Sequence, residues 1–157
     1  MSSQHFNHLH LDVVGGIAGD MFAAAILDFL PELQAEVDSM LSATGLIDMV
    51  NVRRHDHSDG MLTGSRLSVV PVSAPAHHHR AWREIREMIG AMELSDGARL
   101  CSIDIFSRLA EAEGRVHGKP TDEVSFHEVG AWDSIADIVV AGWLVDRLSP
   151  LTWSCSA

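Results

Sequence analysis

Three stretches of this chain carry side chains of the kind that do chemistry. The first runs from Asp12 to Asp20, where Gly15, Gly16 and Gly19 lie between two aspartates. A strand that delivers glycines into a helix start gathers unpaired backbone N–H groups at the positive end of a helix dipole. Such a place suits a phosphate or another anion. The spacing is GGxxG rather than the dinucleotide fingerprint GxGxxG, because Val14 stands where the first glycine should be. Two readings stay open here: a tight structural turn, or a phosphate seat whose divalent cation is held by Asp12 or Asp20.

The second stretch is His77-His78-His79, two residues after Pro75. Neighbouring side chains diverge on a helix and alternate on a strand, so only an irregular loop lets two of the three meet one ion. Imidazole suits nickel, zinc and copper. His55 and His57, interleaved with Asp56 and Asp59, are further candidate ligands. A solvated histidine run is the plainer alternative.

The third stretch is Phe126 to Asp137. His127 and Glu128 stand ahead of a helix on which Asp133 and Asp137, four apart, share a face. Asp133 reads equally as an N-cap. Asp137 opens an apolar run and would be costly to bury without a partner. His117, beside Gly118, reads as a helix C-terminal cap that complements the dipole.

Composition bounds what these groups can serve. The chain has 157 residues, 46% of them hydrophobic, enough for one globular core. A formal charge of −11 with 11 scattered basic residues excludes a nucleic-acid partner, which needs clustered Lys and Arg. No run approaches the roughly 18 apolar residues of a membrane helix. The first residues lack the basic and apolar regions of a signal peptide. Two cysteines, Cys101 and Cys155, give neither a disulfide framework nor a metal knuckle, and Cys101 reads as a small buried hydrophobe. The expected location is the cytoplasm.

The elements that must position these groups follow from periodicity. His8 to Val14 alternates as a half-buried strand. Asp20 is the expected N-cap of a helix over Met21 to Leu30, and a second helix covers Glu32 to Ala43. Met49–Arg54 and Arg66–Val72 predict a hairpin with a long loop, His55 to Gly64, between its strands. Helices follow over Trp82–Met92 and Asp96–His117, the latter with Leu100, Ile103, Phe106, Leu109 and Ala110 at helical spacing. Val124–Val129 is extended. Ser134–Leu148 is a helix whose segment Ile138–Val145 is apolar nearly all round, which places it in the centre of the core. The order β-α-α-β-β-α-α-β-α predicts a single mixed domain, α/β or α+β, over residues 1–157. Leu151 to Ala157 is strand-like and reads as a domain interrupted.

Four segments, in order, resemble the nickel insertion protein of lactate racemase maturation. They are His10 to Met21, His77 to Arg80, Leu109 to Glu113 and Phe126 to Asp137. The resemblance spans nearly the whole chain. It implies a chelatase-type (lyase) enzyme that inserts Ni2+ into a pyridinium bis-thiocarboxylate mononucleotide, giving the nickel-pincer nucleotide while CTP is consumed. Under it, Asp12, Gly15, Gly16, Gly19 and Asp20 become phosphate or nucleotide candidates. His55, His57, His77, His78, His79, His127, Glu128, Asp133 and Asp137 become metal candidates, and no catalytic residue is assigned. Mg2+ or Mn2+ would accompany CTP in a separate C-terminal domain, since family members are much longer and include split genes. The implied partners are the mononucleotide precursor, that C-terminal domain or split-gene product, and further copies of the chain. The isolated chain is expected to be inactive. A non-catalytic nickel store, or a phosphoester hydrolase using Asp12, Asp20 and a metal, are the competing functions.

Overall fold

A computed structural model describes residues 6–73, 80–127 and 129–156. The apolar run near the C-terminal end behaves as its all-round hydrophobicity requires. It forms helix α5 (Trp132–Arg147), whose Ile135, Val139, Val140 and Leu144 are fully buried. Two helices flank it: α1 (Gly19–Phe29) and the long α4 (Asp96–His117). Helices α2 (Gln34–Ala43) and α3 (Trp82–Ala91) complete the helical layer.

Among the described residues the strands form three separate two-stranded sheets. β1 (His8–Leu11) pairs in parallel with β6 (Thr152–Cys155), in register His8 to Thr152 and Leu11 to Cys155. The strand-like end of the chain therefore closes back on its beginning, and Trp153 packs on Phe22 with ring centroids 5.7 Å apart. β2 (Val50–Ser58) and β3 (Thr63–Pro71) form the hairpin. β4 (Arg80–Ala81) and β5 (Ser125–Phe126) form a short antiparallel bridge. The mixed α/β class and the element order agree roughly with the sequence expectation, with β4 added and the strand-like C-terminal run formed as β6.

Several expectations are corrected. The hairpin loop is short, Asp59 to Leu62, and His55 and His57 lie on β2 itself. The Asp59 carboxylate accepts from the N–H groups of Met61 and Leu62, both at 2.8 Å, and Gly60 takes a left-handed φ of 88°, so the turn closes locally. β1 stops at Leu11 rather than Val14. On α4, Leu100 and Leu109 face solvent; the buried stripe is Ala98, Ser102, Phe106, Ala110 and Gly114. Small residues win there because α5 lies close. A Cβ on Gly142 would sit 2.4 Å from the Ser102 hydroxyl and 3.2 Å from the Ala98 carbonyl. Ile138 is half-buried at the edge of the core and Val139 is its centre. Cys101 is half-buried, and burial pushes its thiol pKa up. Among the described residues no helix is long and apolar enough to cross a membrane.

Candidate functional site

The glycine stretch leaves the C-terminal end of β1 beside the end of β6, where the Ser156 hydroxyl accepts from the Val13 N–H at 2.9 Å. A turn follows, closed by the Gly16 N–H donating to the Val13 carbonyl at 2.8 Å. Gly15 and Gly16 hold φ of 82° and 101°, in the region that favours glycine, with open space around both. Asp12 is exposed on the same turn.

Gly19 has a different task. The N-cap of α1 is Ala18, with no side-chain cap, so Asp20 is not the cap residue but lies in the first turn. A Cβ on Gly19 would stand 3.0 Å from the Cβ of Asp137, closer than side chains normally approach. The third glycine is thus what lets α1 meet α5. It brings the Asp12–Asp20 stretch against the Phe126–Asp137 stretch.

Asp137 lies at this crossing. Burial, then the charges of Asp20 and Asp133, push its carboxyl pKa up to about 7. Its Oδ1 is buried and has no hydrogen-bond partner among the described residues. Asp133 is likewise not a cap: Ala131 occupies that position, and the Asp133 carboxylate accepts from the Ser134 N–H at 2.8 Å. Three carboxylates around two helix starts repel a bare anion and attract a cation.

The histidine run His77, His78 and His79 lies outside the described residues, as does Glu128. Their described neighbours converge on the same corner. Arg80 pairs with Phe126 across β4 and β5. Its guanidinium lies 4.4 Å from the ring centroid of Trp132, the first residue of α5 and the neighbour of Asp133. Burial lowers the Arg80 pKa, and its Nη1 is buried without a hydrogen-bond partner among the described residues. His127, next to Phe126, is exposed. The glycine stretch and the Phe126–Asp137 stretch therefore meet at the N-terminal end of α5, and Arg80 docks beside them. Among the described residues alone, no three His, Cys, Asp or Glu side chains form a ready-made metal cage.

His55 and His57 lie away from that corner, on β2, and line a groove of about 900 Å³ between α1 and the hairpin that also touches Asp20. His117 sits in the last turn of α4, 3.3 Å from Glu113, with Gly118 as the left-handed C-cap, in keeping with a structural role. Sequence reading missed His8 and His10. On β1 both rings hydrogen-bond Ser154 of β6 at 2.8 Å, and His8 also bonds Thr152. Their alternation on a strand was a signal; their partners, more than 140 residues away, were not visible.

Residues 9–157 match the family model described as nickel insertion protein. A protein of Syntrophotalea carbinolica is 37% identical over 145 residues, 90% of this chain and 35% of its own. Two relatives are named pyridinium-3,5-bisthiocarboxylic acid mononucleotide nickel insertion protein. That of Nocardioides sp. is 37% identical over 85% of this chain and 34% of its own length. That of Akkermansia muciniphila is 36% identical over 87% and 35%. The chain thus spans about a third of the length of the curated relatives it matches. No solved structure matches it. With the match covering all but its first eight residues, the chain belongs to the nickel insertion protein family.

Proposed function

We propose that the chain is the nickel-handling part of a CTP-dependent insertase that loads nickel into a pyridinium bis-thiocarboxylate mononucleotide, in the cytoplasm, for lactate racemase maturation. Nickel is the cargo here. CTP, with Mg2+ or Mn2+, belongs in this reading to the remaining two thirds of the relatives' length, so the lyase-type step needs that part as well.

The observation that carries the reading is the convergence at the start of α5. Gly19 brings Asp20 against Asp137, and Arg80, the residue after the histidine run, stacks on Trp132 beside Asp133. A buried Asp137 carboxylate oxygen with no hydrogen-bond partner among the described residues favours a cation or a proton. In this reading the remaining ligands come from His77, His78, His79, His127 and Glu128, which neighbour Arg80 and Phe126 in the sequence. Carboxylate with imidazole is a set that late first-row divalent ions accept.

Calorimetric titration of the chain with nickel, zinc and cobalt tests this. Nickel should bind, and binding should weaken about tenfold or more in Asp137→Asn and in the triple His77, His78, His79→Ala variant. A chain that binds no nickel would overturn the proposal. A nickel store would bind several ions without regard to the precursor, and a phosphoester hydrolase would turn over substrate alone.

A further inference from the structure

The outer face of the β1–β6 sheet carries a cluster that the α5 corner does not use. Leu9 and Trp153 turn inward and pack against the core, so both strands send their alternate residues, His8, His10, Thr152 and Ser154, to the exposed side. The parallel register sets His8 beside Thr152 and His10 beside Ser154. His8 Nε2 and His10 Nδ1 each lie 2.8 Å from one atom, the Ser154 Oγ. Two imidazoles set roughly 6.6 Å apart along a strand thus aim one nitrogen each at a single point.

The hydrogen bonds decide where the lone pairs lie. A hydroxyl has one proton to give. Thr152 donates its own to the Asn7 carbonyl at 3.1 Å, so from His8 Nδ1, 2.8 Å away, it accepts. Neutral His8 is thereby held with its proton on Nδ1 and its lone pair on Nε2, facing Ser154. Ligating histidines are prepared in this way: the far N–H is anchored and the near nitrogen is left to coordinate. Ser154 in turn donates to His8 Nε2 and accepts from His10 Nδ1. His10 is exposed, and its ring makes no other hydrogen bond among the described residues, so moving its proton to Nε2 costs little.

The surroundings favour a cation. Neither strand bears a Lys or Arg, Asp12 is the next exposed alternate residue after His10, and the chain carries a formal charge of −11. Imidazole donors select late first-row divalent ions over magnesium or calcium, which take oxygen. We propose that His8 Nε2 and His10 Nδ1 form a second, open site for such an ion, with Thr152 as its positioning residue. It lies on the face of the sheet turned away from α1, whose Phe22 packs on Trp153 from the other side. The ion takes the place of the Ser154 proton between the rings, and water completes its shell. With two protein ligands the site exchanges its ion, unlike a closed four-ligand structural centre. It does not depend on the nickel-insertion reading, and it accepts zinc, cobalt or nickel.

The test is a zinc titration of the whole chain followed by NMR of the histidine ring nitrogens, which reads the site residue by residue. His8 Nε2 and His10 Nδ1 should shift together at one zinc concentration, while His8 Nδ1 keeps its proton. His10→Ala should weaken zinc binding at His8 about tenfold or more, and Thr152→Val should do so on the same scale. Val keeps the shape of Thr and removes the acceptor. A role confined to joining β1 to β6 would therefore lower the melting temperature of Thr152→Val and leave its zinc affinity unchanged. Three results would each overturn the inference: His8 and His10 resonances that do not respond in wild type, that respond at different zinc concentrations, or that titrate in Thr152→Val as in wild type. The wild-type titration decides the question even if a variant fails to fold. Because these resonances report this site alone, its failure and the failure of nickel binding at the α5 corner are read separately.

Discussion

Asp137→Asn should stabilise the metal-free chain at alkaline pH while destroying its response to nickel. The Asp137 carboxyl is raised from 3.8 to about 7, chiefly by burial and then by Asp20 and Asp133. Between those values the folded state holds a proton that the unfolded state has released. The group's stabilising share is therefore complete below about pH 4 and is lost as pH rises through about 7. The shift corresponds to roughly 4 kcal/mol if taken whole. Asp137 is only part-buried, however, and solvent screening brings the expected effect to about 1–2 kcal/mol. An amide in its place carries no charge. Urea unfolding in the presence of a chelator should show wild type losing about 1–2 kcal/mol between about pH 5 and about pH 8.5, and Asp137→Asn losing much less. Nickel at about a hundred times its dissociation constant should return roughly 2.7 kcal/mol to wild type, and little to the variant. An Asn variant that is less stable than wild type at alkaline pH, or that keeps the same pH slope, would refute this reasoning.

Other outcomes follow from the packing. Gly142→Val should cost several kcal/mol, because even a Cβ there collides with Ser102 on α4, and a melting curve unchanged from wild type would contradict the crossing. Val139→Asp should unfold the chain, since an unpaired charge at a fully buried site costs about 3–5 kcal/mol; far-ultraviolet circular dichroism reads this directly. Ser95→Ala should cost about 1 kcal/mol in urea unfolding, as the hydroxyl caps α4 by accepting from Ala98 and also donates to Asp146 at 2.6 Å. Supplied with nickel, CTP and precursor, the chain alone should form no nickel-pincer nucleotide by mass spectrometry, and the remaining part of a longer relative added in trans should restore it.

The helices were legible because their periodicity is long and their caps are local. Gly118 ends α4 and the all-round apolar run sets α5 at the centre. Tertiary demands were less visible. Leu100 and Leu109 fit a helical stripe as well as Ala98, Ser102 and Gly114 do, and only the close approach of α5 selects the smaller set. The outer half of the hairpin is polar, so His55 to Ser58 read as loop, yet backbone pairing with Thr63 to Arg66 needs no apolar side chains. At the site, the residue types announced chemistry in three places. That Gly19 exists to admit Asp137, and that Arg80 docks on Trp132, are contacts between distant segments which spacing alone does not encode.

The claim at the centre is that nickel is held where these stretches meet, and the most direct measurement is nickel affinity of the chain and two variants by calorimetry. The proposal predicts binding by wild type that weakens about tenfold or more in Asp137→Asn and likewise when His77, His78 and His79 become alanine. Nickel affinity and stoichiometry identical in all three proteins would contradict it.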